Sequence, residues 1–280
     1  MADFSVGIIL DSFRKPIPEA VKLAAELGAD GLQVYATRGE MSPEELTGEK
    51  RTAFRRLVAD NGLVISALCG DLGHGFMDPE RNPALVEKSK RILDLAVELG
   101  TKVVTTHIGI VPGNPAIPRY KVMQDACGEL AAYADSLGAH FAVETGPESP
   151  ETLKVFLDSL HSTGVAVNYD PANLAMVIGC DVVEGVRTLK DYIVHTHAKD
   201  GVQLLKRDPE IVYGLRKGEE VVTSPSFEEV PLGEGSVPFP AYLDALREIG
   251  YRGFLTIERE VGNDPAGDIA KAVKFLKERI

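Results

Sequence analysis

Cysteine is scarce in this chain: Cys69, Cys127 and Cys180 are the three in 280 residues. Odd in number and far apart, they make neither a disulfide framework nor a CxxC metal knuckle, and they read as free thiols, buried in a reducing cytoplasm. Long apolar runs are also missing. None approaches the roughly 18–20 residues that span a bilayer, so no membrane association is expected. The opening MADFSVGIILDSFRKP has no basic residue ahead of its apolar stretch and no small-residue cleavage site, which argues against a secretory leader. Positive charge is in deficit, with Lys+Arg 30 against Asp+Glu 42 and a net charge of −12. Such a surface repels phosphate backbones, so nucleic acid is not an expected partner.

What is present is core material: 44% hydrophobic and 26% charged residues at a mean hydropathy of −0.02. These are the proportions of an ordinary soluble globular protein. Short β-branched runs recur along the chain, each followed by a longer amphipathic segment. The runs are Val6–Leu10, Gly31–Tyr35, Leu63–Leu68, Lys102–His107, His140–Glu144, Val165–Asp170, Tyr192–His197 and Phe254–Glu258. Helices are expected over Ile17–Leu27, Pro43–Asn61, Pro83–Leu99, Tyr120–Leu137, Pro150–Leu160, Phe239–Ile249 and Pro265–Glu278. Ser42 before Pro43, Glu44 and Glu45 reads as a helix cap. Gly28, Gly100, Gly138, Gly164 and Gly250 fall where a helical pattern stops.

Strands alternating with helices imply a parallel sheet, since parallel neighbours need crossovers. Eight such units make a closed (β/α)₈ TIM barrel the simplest α/β solution, one domain over residues 1–280. An open doubly wound sheet is the alternative, but LDSFRKP, not a GxGxxG turn, follows the first strand. The spacing breaks once, after the seventh strand, where residues 200–235 read as a long inserted loop on the active-site side.

The positions of the polar residues are more telling than their number. The fifth to eighth strands end in Glu144, Asp170, His197 and Glu258. Strand C-termini of a barrel converge on one mouth. Three carboxylates and an imidazole there must pair with a cation or protonate. A divalent ion resolves this, and an oxygen-rich shell with one nitrogen suits Mn²⁺, Mg²⁺ or Co²⁺ better than a thiolate-type zinc site. Singly, each residue has a plainer reading: Glu144 and Asp170 as caps, His195 or His197 as a core histidine, Glu258 or Glu260 as a partner for Arg259 or a rim lysine.

In AVETG (Glu144), VNYDPANL (Asp170), HTHAKD (His195 to Asp200), PLGEGSVPF (Pro231 to Phe239) and GYRGFLTIERE (Gly250 to Glu260), the sequence resembles the sugar phosphate isomerase/epimerase group of the xylose-isomerase-like barrel superfamily. That group contains tagatose and psicose 3-epimerases, hydroxypyruvate isomerase and inosose dehydratase. The resemblance implies a cytoplasmic enzyme of carbohydrate metabolism, an isomerase or epimerase of a small sugar or polyhydroxy carbonyl compound. Its metal ligands would be Glu144, Asp170, His197 and Glu258, holding Mn²⁺ first and Co²⁺, Mg²⁺ or Zn²⁺ as alternatives. Glu144 and Glu258 would exchange protons with the substrate through a metal-stabilised enediolate. Assembly into a homo-oligomer is implied too, since family members are often dimers or tetramers.

Two positions depart from the epimerase pattern: Asn173 replaces a histidine and Gln203 an arginine. His107, Lys199, Asn173, Gln33 and Arg38 are assigned to substrate binding, with Arg14 a weaker candidate for an anionic group. His107 and Gln33 also read as satisfied rim or interior residues, and Lys199 as a partner of Asp200 or Glu144. Three other activities are alternatives: an inosose-type dehydratase, an endonuclease IV-like phosphodiesterase, and a sugar-binding barrel without turnover. The phosphodiesterase is opposed by the net charge of −12, by Asn173 where a further zinc-binding histidine is expected, and by the absence of histidine after His197.

Overall fold

Strands that are apolar on both faces must be covered on both, and here they close into a ring with helices outside. The computed structural model describes residues 3–216 and 224–280. The barrel strands are β1 (Ser5–Ile9), β2 (Gly31–Tyr35), β3 (Val64–Cys69), β4 (Val103–Thr106), β5 (His140–Glu144), β6 (Val165–Tyr169), β7 (Ile193–Ala198) and β10 (Phe254–Ile257). They pair in parallel in the order β1-β10-β7-β6-β5-β4-β3-β2, returning to β1. This is the expected TIM barrel. The helices are α1 (Ile17–Leu27), α2 (Gly48–Asp60), α3 (Asn82–Leu99), α4 (Pro118–Leu137), α5 (Pro150–Asp158), α6 (Pro171–Asn173), α7 (Val182–Thr188), α8 (Pro209–Val212), α9 (Phe239–Glu248) and α10 (Pro265–Lys277). Their apolar faces pack on the strands in one continuous core that includes Phe141, Phe156, Tyr169, Phe239 and Tyr242. Among the described residues no helix is long and apolar enough to cross a membrane. Cys69 and Cys127 are buried free thiols, as expected, and Cys180 is half-buried.

Helices α1, α3 and α4 end on Gly28, Gly100 and Gly138 in the left-handed conformation, as the sequence suggests. Gly164 does not cap a helix, because α5 ends earlier, at Asp158. A Cβ at Gly164 would lie 2.1 Å from the Ala131 carbonyl oxygen, so glycine there permits the close approach of α4. Ser42 is not a cap either. Its hydroxyl donates back to the Gly39 carbonyl at 2.9 Å, one turn forms, and the chain extends at Thr47 before α2 begins at Gly48.

The segment 200–235 is more than a loop. Strand β8 (Asp200–Gln203) pairs antiparallel with β9 (Phe227–Val230), and α8 lies between them. Residues 217–223 of that segment lie outside the described residues. The Asp200 carboxylate organises its base by accepting the backbone N–H groups of Gly201, Gly233, Gly235 and Val237 at 2.9–3.1 Å. A Cβ at Gly235 would sit 2.2 Å from Asp200 Oδ1, which explains the glycine in PLGEGS.

Two irregularities in strand register matter for the site. One falls between Leu32 and Gln33 on β2, the other between Val167 and Asn168 on β6. Such bulges re-aim side chains, and Gln33 and Asn168 both contact the groups described next.

Candidate active site

Glu144 ends β5, Asp170 follows β6, His197 lies in β7 and Glu258 follows β10, so four neighbouring strands deliver their polar ends to one point. His197 Nδ1 is 3.4 Å from Asp170 Oδ2, 3.4 Å from Glu258 Oε2 and 3.6 Å from Glu144 Oε1. One donor atom from each of the four lies within 4.8 Å of every other. Asp170 Oδ2 and His197 Nδ1 are buried and have no hydrogen-bond partner. Leaving such atoms unpaired is costly. A divalent cation about 2.1 Å from each donor would satisfy both at the separations observed. The donor set and its geometry therefore fit a metal ion.

The surroundings hold these side chains in orientation. His197 Nε2 lies 3.1 Å from Gln33 Oε1, and Gln33 Nε2 donates to Thr105 Oγ1 at 3.1 Å. Gln33 Oε1 and Asn168 Nδ2 both lie 3.1 Å from Nε2, which fixes that edge of the ring and turns Nδ1 toward the carboxylates. Asp170 divides its oxygens: Oδ1 caps α6 by accepting Asn173 N–H at 2.9 Å, while Oδ2 faces the cluster. Asp170 thus caps α6, as its plain reading expects, with one oxygen, and turns the other toward the cluster.

Glu144 is held by amides. Asn168 Nδ2 donates to Oε2 and Asn173 Nδ2 to Oε1, each at 3.1 Å, and His107 Nε2 lies 3.4 Å from Oε1. Asn168 is itself oriented by a buried chain. His195 Nδ1 donates to Asn168 Oδ1 at 2.8 Å, and Thr256 Oγ1 donates to His195 Nε2 at 3.0 Å. Burial, aided by His197, pushes the His195 pKa well below its ordinary value, so this ring is neutral. Burial pushes Glu144 upward, but His107 and His197 outweigh it and hold the carboxyl below its usual range.

Glu258 has a different neighbour. Lys199 Nζ donates to Glu258 Oε2 at 2.9 Å and to Glu260 Oε2 at 2.5 Å, and lies 3.7 Å from Glu229. These partners, not Asp200 or Glu144, take up the lysine. Burial favours the neutral amine, yet Glu258 and the other carboxylates hold Lys199 charged, its pKa well above the ordinary value. Burial likewise raises Glu258, and Lys199 and His197 overcome it. Glu229, on β9, also pairs with Arg259 at 2.6 Å, and Arg259 with Asp268 at 3.0 Å. The β8–β9 hairpin is thereby tied to the end of β10.

Above the cluster opens a cavity of about 420 Å³, lined by Glu144, His197 and Glu258 together with Gln33, His107, Asn173 and Lys199. Four of the five sequence-assigned substrate residues thus face one space. Arg38 does not. It lies in a neighbouring depression with Arg14, and Tyr35, Glu258 and Glu260 border both spaces. Arg14 spends its guanidinium on the Glu260 and Gly262 carbonyls at 2.7 and 2.9 Å. Gln203 donates to the Val177 carbonyl at 3.1 Å. One wall is made by two loops in close contact, since a Cβ at Gly75 would meet Gly109 N and Ile108 O at 2.7 Å. Two further residues of the site, Asn168 and Glu229, lie outside the sequence assignments. Asn168 was legible as a polar residue inside a wholly buried run, whereas Glu229 carried no local signal.

An eight-stranded parallel barrel whose strand ends bring three carboxylates and a histidine together beneath one cavity is a TIM barrel with its polar site at the strand C-termini. The chain belongs to the xylose isomerase-like TIM barrel family, whose profile matches residues 21–279. A putative L-ribulose-5-phosphate 3-epimerase, SgbU of Escherichia coli K12, is 25% identical over all of this chain and 98% of its own length. A xylose isomerase domain protein from Planctomyces limnophilus superposes with a TM-score of 0.80 at 27% identity, covering 98% of this chain and 96% of that one. A D-psicose 3-epimerase from Clostridium cellulolyticum H10, solved with D-tagatose, shares the fold at a TM-score of 0.73 and 15% identity, covering 99% of each chain.

Proposed function

We propose that this chain is a divalent-metal-dependent isomerase or epimerase of a small polyhydroxy carbonyl compound, working in the cytoplasm. The reading rests on the convergence of Glu144, Asp170, His197 and Glu258 around two unpartnered buried atoms at the floor of a cavity. The likeness along its whole length to a putative sugar-phosphate 3-epimerase supports it. Mn²⁺ suits three carboxylates and one imidazole best, with Co²⁺, Mg²⁺ and Zn²⁺ as alternatives. Bound there, the ion would act as a Lewis acid toward the substrate carbonyl, easing removal of a neighbouring C–H proton.

The protein's own groups account for the rest. A substrate above the cluster lies within reach of Glu144 and Glu258, which come from β5 and β10 at the two ends of the run of four strands. One carboxylate takes the C–H proton to give an enediolate, and one returns a proton. Return by the second carboxylate on the other face inverts the centre; transfer on one face between adjacent carbons interconverts aldose and ketose. Asn168 and Asn173 hold Glu144 in orientation. Lys199 keeps Glu258 ionised, and His107 and Gln33 offer hydrogen bonds to substrate oxygens.

The test is solvent-deuterium incorporation into a panel of ketoses, inososes and hydroxypyruvate by Mn²⁺-loaded protein, with Glu144→Gln and Glu258→Gln alongside. Exchange with an unchanged skeleton, lost in both variants, is expected. Exchange with loss of water would move the assignment to a dehydratase. Exchange that survives in both variants would remove the two carboxylates from the mechanism.

A further inference from the structure

Beside the polar cluster, the cavity is lined by Met77, Ile110, Met176, Tyr213, Leu215 and Phe227, more apolar surface than a simple sugar phosphate would use. Tyr213 and Leu215 remain 50% and 41% exposed, large apolar side chains left open at the mouth. Exposed apolar surface gathered in one concavity marks a ligand contact more often than surface scattered singly.

Charge points the same way. Four carboxylates, those of Asp71, Glu144, Glu258 and Glu260, line this space. Among the described lining residues Lys199 is the one lysine or arginine, and its ammonium is already held by Glu258 and Glu260 at 2.9 and 2.5 Å. With Lys199 so paired and His107 facing Glu144 at 3.4 Å, the six apolar side chains offer a phosphate no counter-charge.

We propose that the substrate has a polyhydroxy carbonyl head over the cluster and an uncharged, apolar substituent against Met77, Ile110, Met176, Tyr213, Leu215 and Phe227. This deepens the proposed function and rests on its metal-centred reading. It separates this chain from relatives named for a phosphorylated pentulose.

Hydroxamates chelate a metal through two adjacent oxygens, as an enediolate does, so their tails probe the apolar lining. Calorimetric binding to Mn²⁺-loaded protein would compare acetohydroxamate, hexanohydroxamate and phosphonoacetohydroxamate. Hexanohydroxamate is expected to bind at least tenfold more tightly than acetohydroxamate, a difference of about 1.4 kcal/mol. The phosphonate should gain nothing. In Tyr213→Ser and Leu215→Ser, both at exposed positions, the hexanoyl advantage should fall below about threefold while acetohydroxamate binding is kept.

Equal binding of the three probes, or a tenfold gain confined to the phosphonate, overturns this inference and leaves the metal-centred reading standing. A hexanoyl advantage undiminished in both variants overturns it as well. Failure of every hydroxamate to bind the metal-loaded protein overturns the metal-centred reading and this inference with it.

Discussion

Lys199 Nζ stands 2.9 Å from Glu258 Oε2, whereas Glu144, the other carboxylate proposed to move protons, is held by the neutral amides of Asn168 and Asn173 at 3.1 Å. One acid is fixed by a buried cation and the other by dipoles. Removing that cation leaves Glu258 buried without its counter-charge, while Glu229 keeps Arg259. Breaking a buried pair from one side typically costs about 3–5 kcal/mol. Lys199→Met should therefore lower the urea midpoint by a corresponding amount and abolish deuterium exchange in the substrate. An unchanged midpoint would show that Glu258 does not depend on this lysine.

The metal reading makes a stability prediction independent of any substrate. A ligand that binds only the folded state stabilises it by about 2.7 kcal/mol at a hundred times its dissociation constant. Mn²⁺ should raise the Tm of chelator-treated protein in a saturable way. Asp170→Asn isolates the ligand role, because asparagine caps a helix as well as aspartate does. Oδ1 would keep its bond from Asn173 N–H while the charge at Oδ2 is lost. The variant should fold, bind Mn²⁺ at least a hundredfold more weakly, and lose the thermal shift. Full retention of the shift would remove Asp170 from the ligand set.

Asn168 touches Glu144 from one side and His195 from the other. Residues that orient a metal ligand typically contribute 10–100-fold to affinity. Asn168→Ala should weaken Mn²⁺ binding within that range while the far-ultraviolet circular dichroism stays native. Equal Mn²⁺ affinity in the two proteins would reduce Asn168 to a packing role.

Much of the fold and of the cluster is legible in the sequence. The short continuous apolar runs and their Gly-capped helical partners specify a barrel because strands buried on both faces pair in parallel through crossovers. Glu144, Asp170, His197 and Glu258 were legible for the same reason: strand ends in this fold meet at one mouth. What local pattern could not reveal were contacts fixed by closure of the ring. Glu229 reaches Lys199 and Arg259 only because β9 folds back on β8, and Gln33 reaches His197 across 164 residues of sequence. Ser42 failed as a cap because its hydroxyl found a nearer acceptor behind it. Arg38 follows a barrel strand, as a substrate residue would, but the turn after Tyr35 carries it into the adjacent depression.

Glu148 gives a pH prediction of its own. The side chain is buried, and Val111 N–H donates to its Oε2 at 3.2 Å. Burial pushes its pKa from 4.5 up to about 8, against smaller opposing effects of the Val111 N–H and His107. Between those two values the folded state holds a proton that the unfolded chain has released. Stability must then fall as pH rises through this window, because the folded state binds more protons. The contribution is full below pH 4.5, declines by at most about 1.4 kcal/mol per pH unit, and levels off above pH 8. Glu148→Gln keeps the shape and removes the titration. Urea unfolding of both proteins at pH 5, 6, 7 and 8 should show the native chain losing several kcal/mol relative to the variant across the series. A constant difference between the two at all four values would mean that Glu148 is ionised in the folded protein, stabilised by a partner stronger than the Val111 N–H.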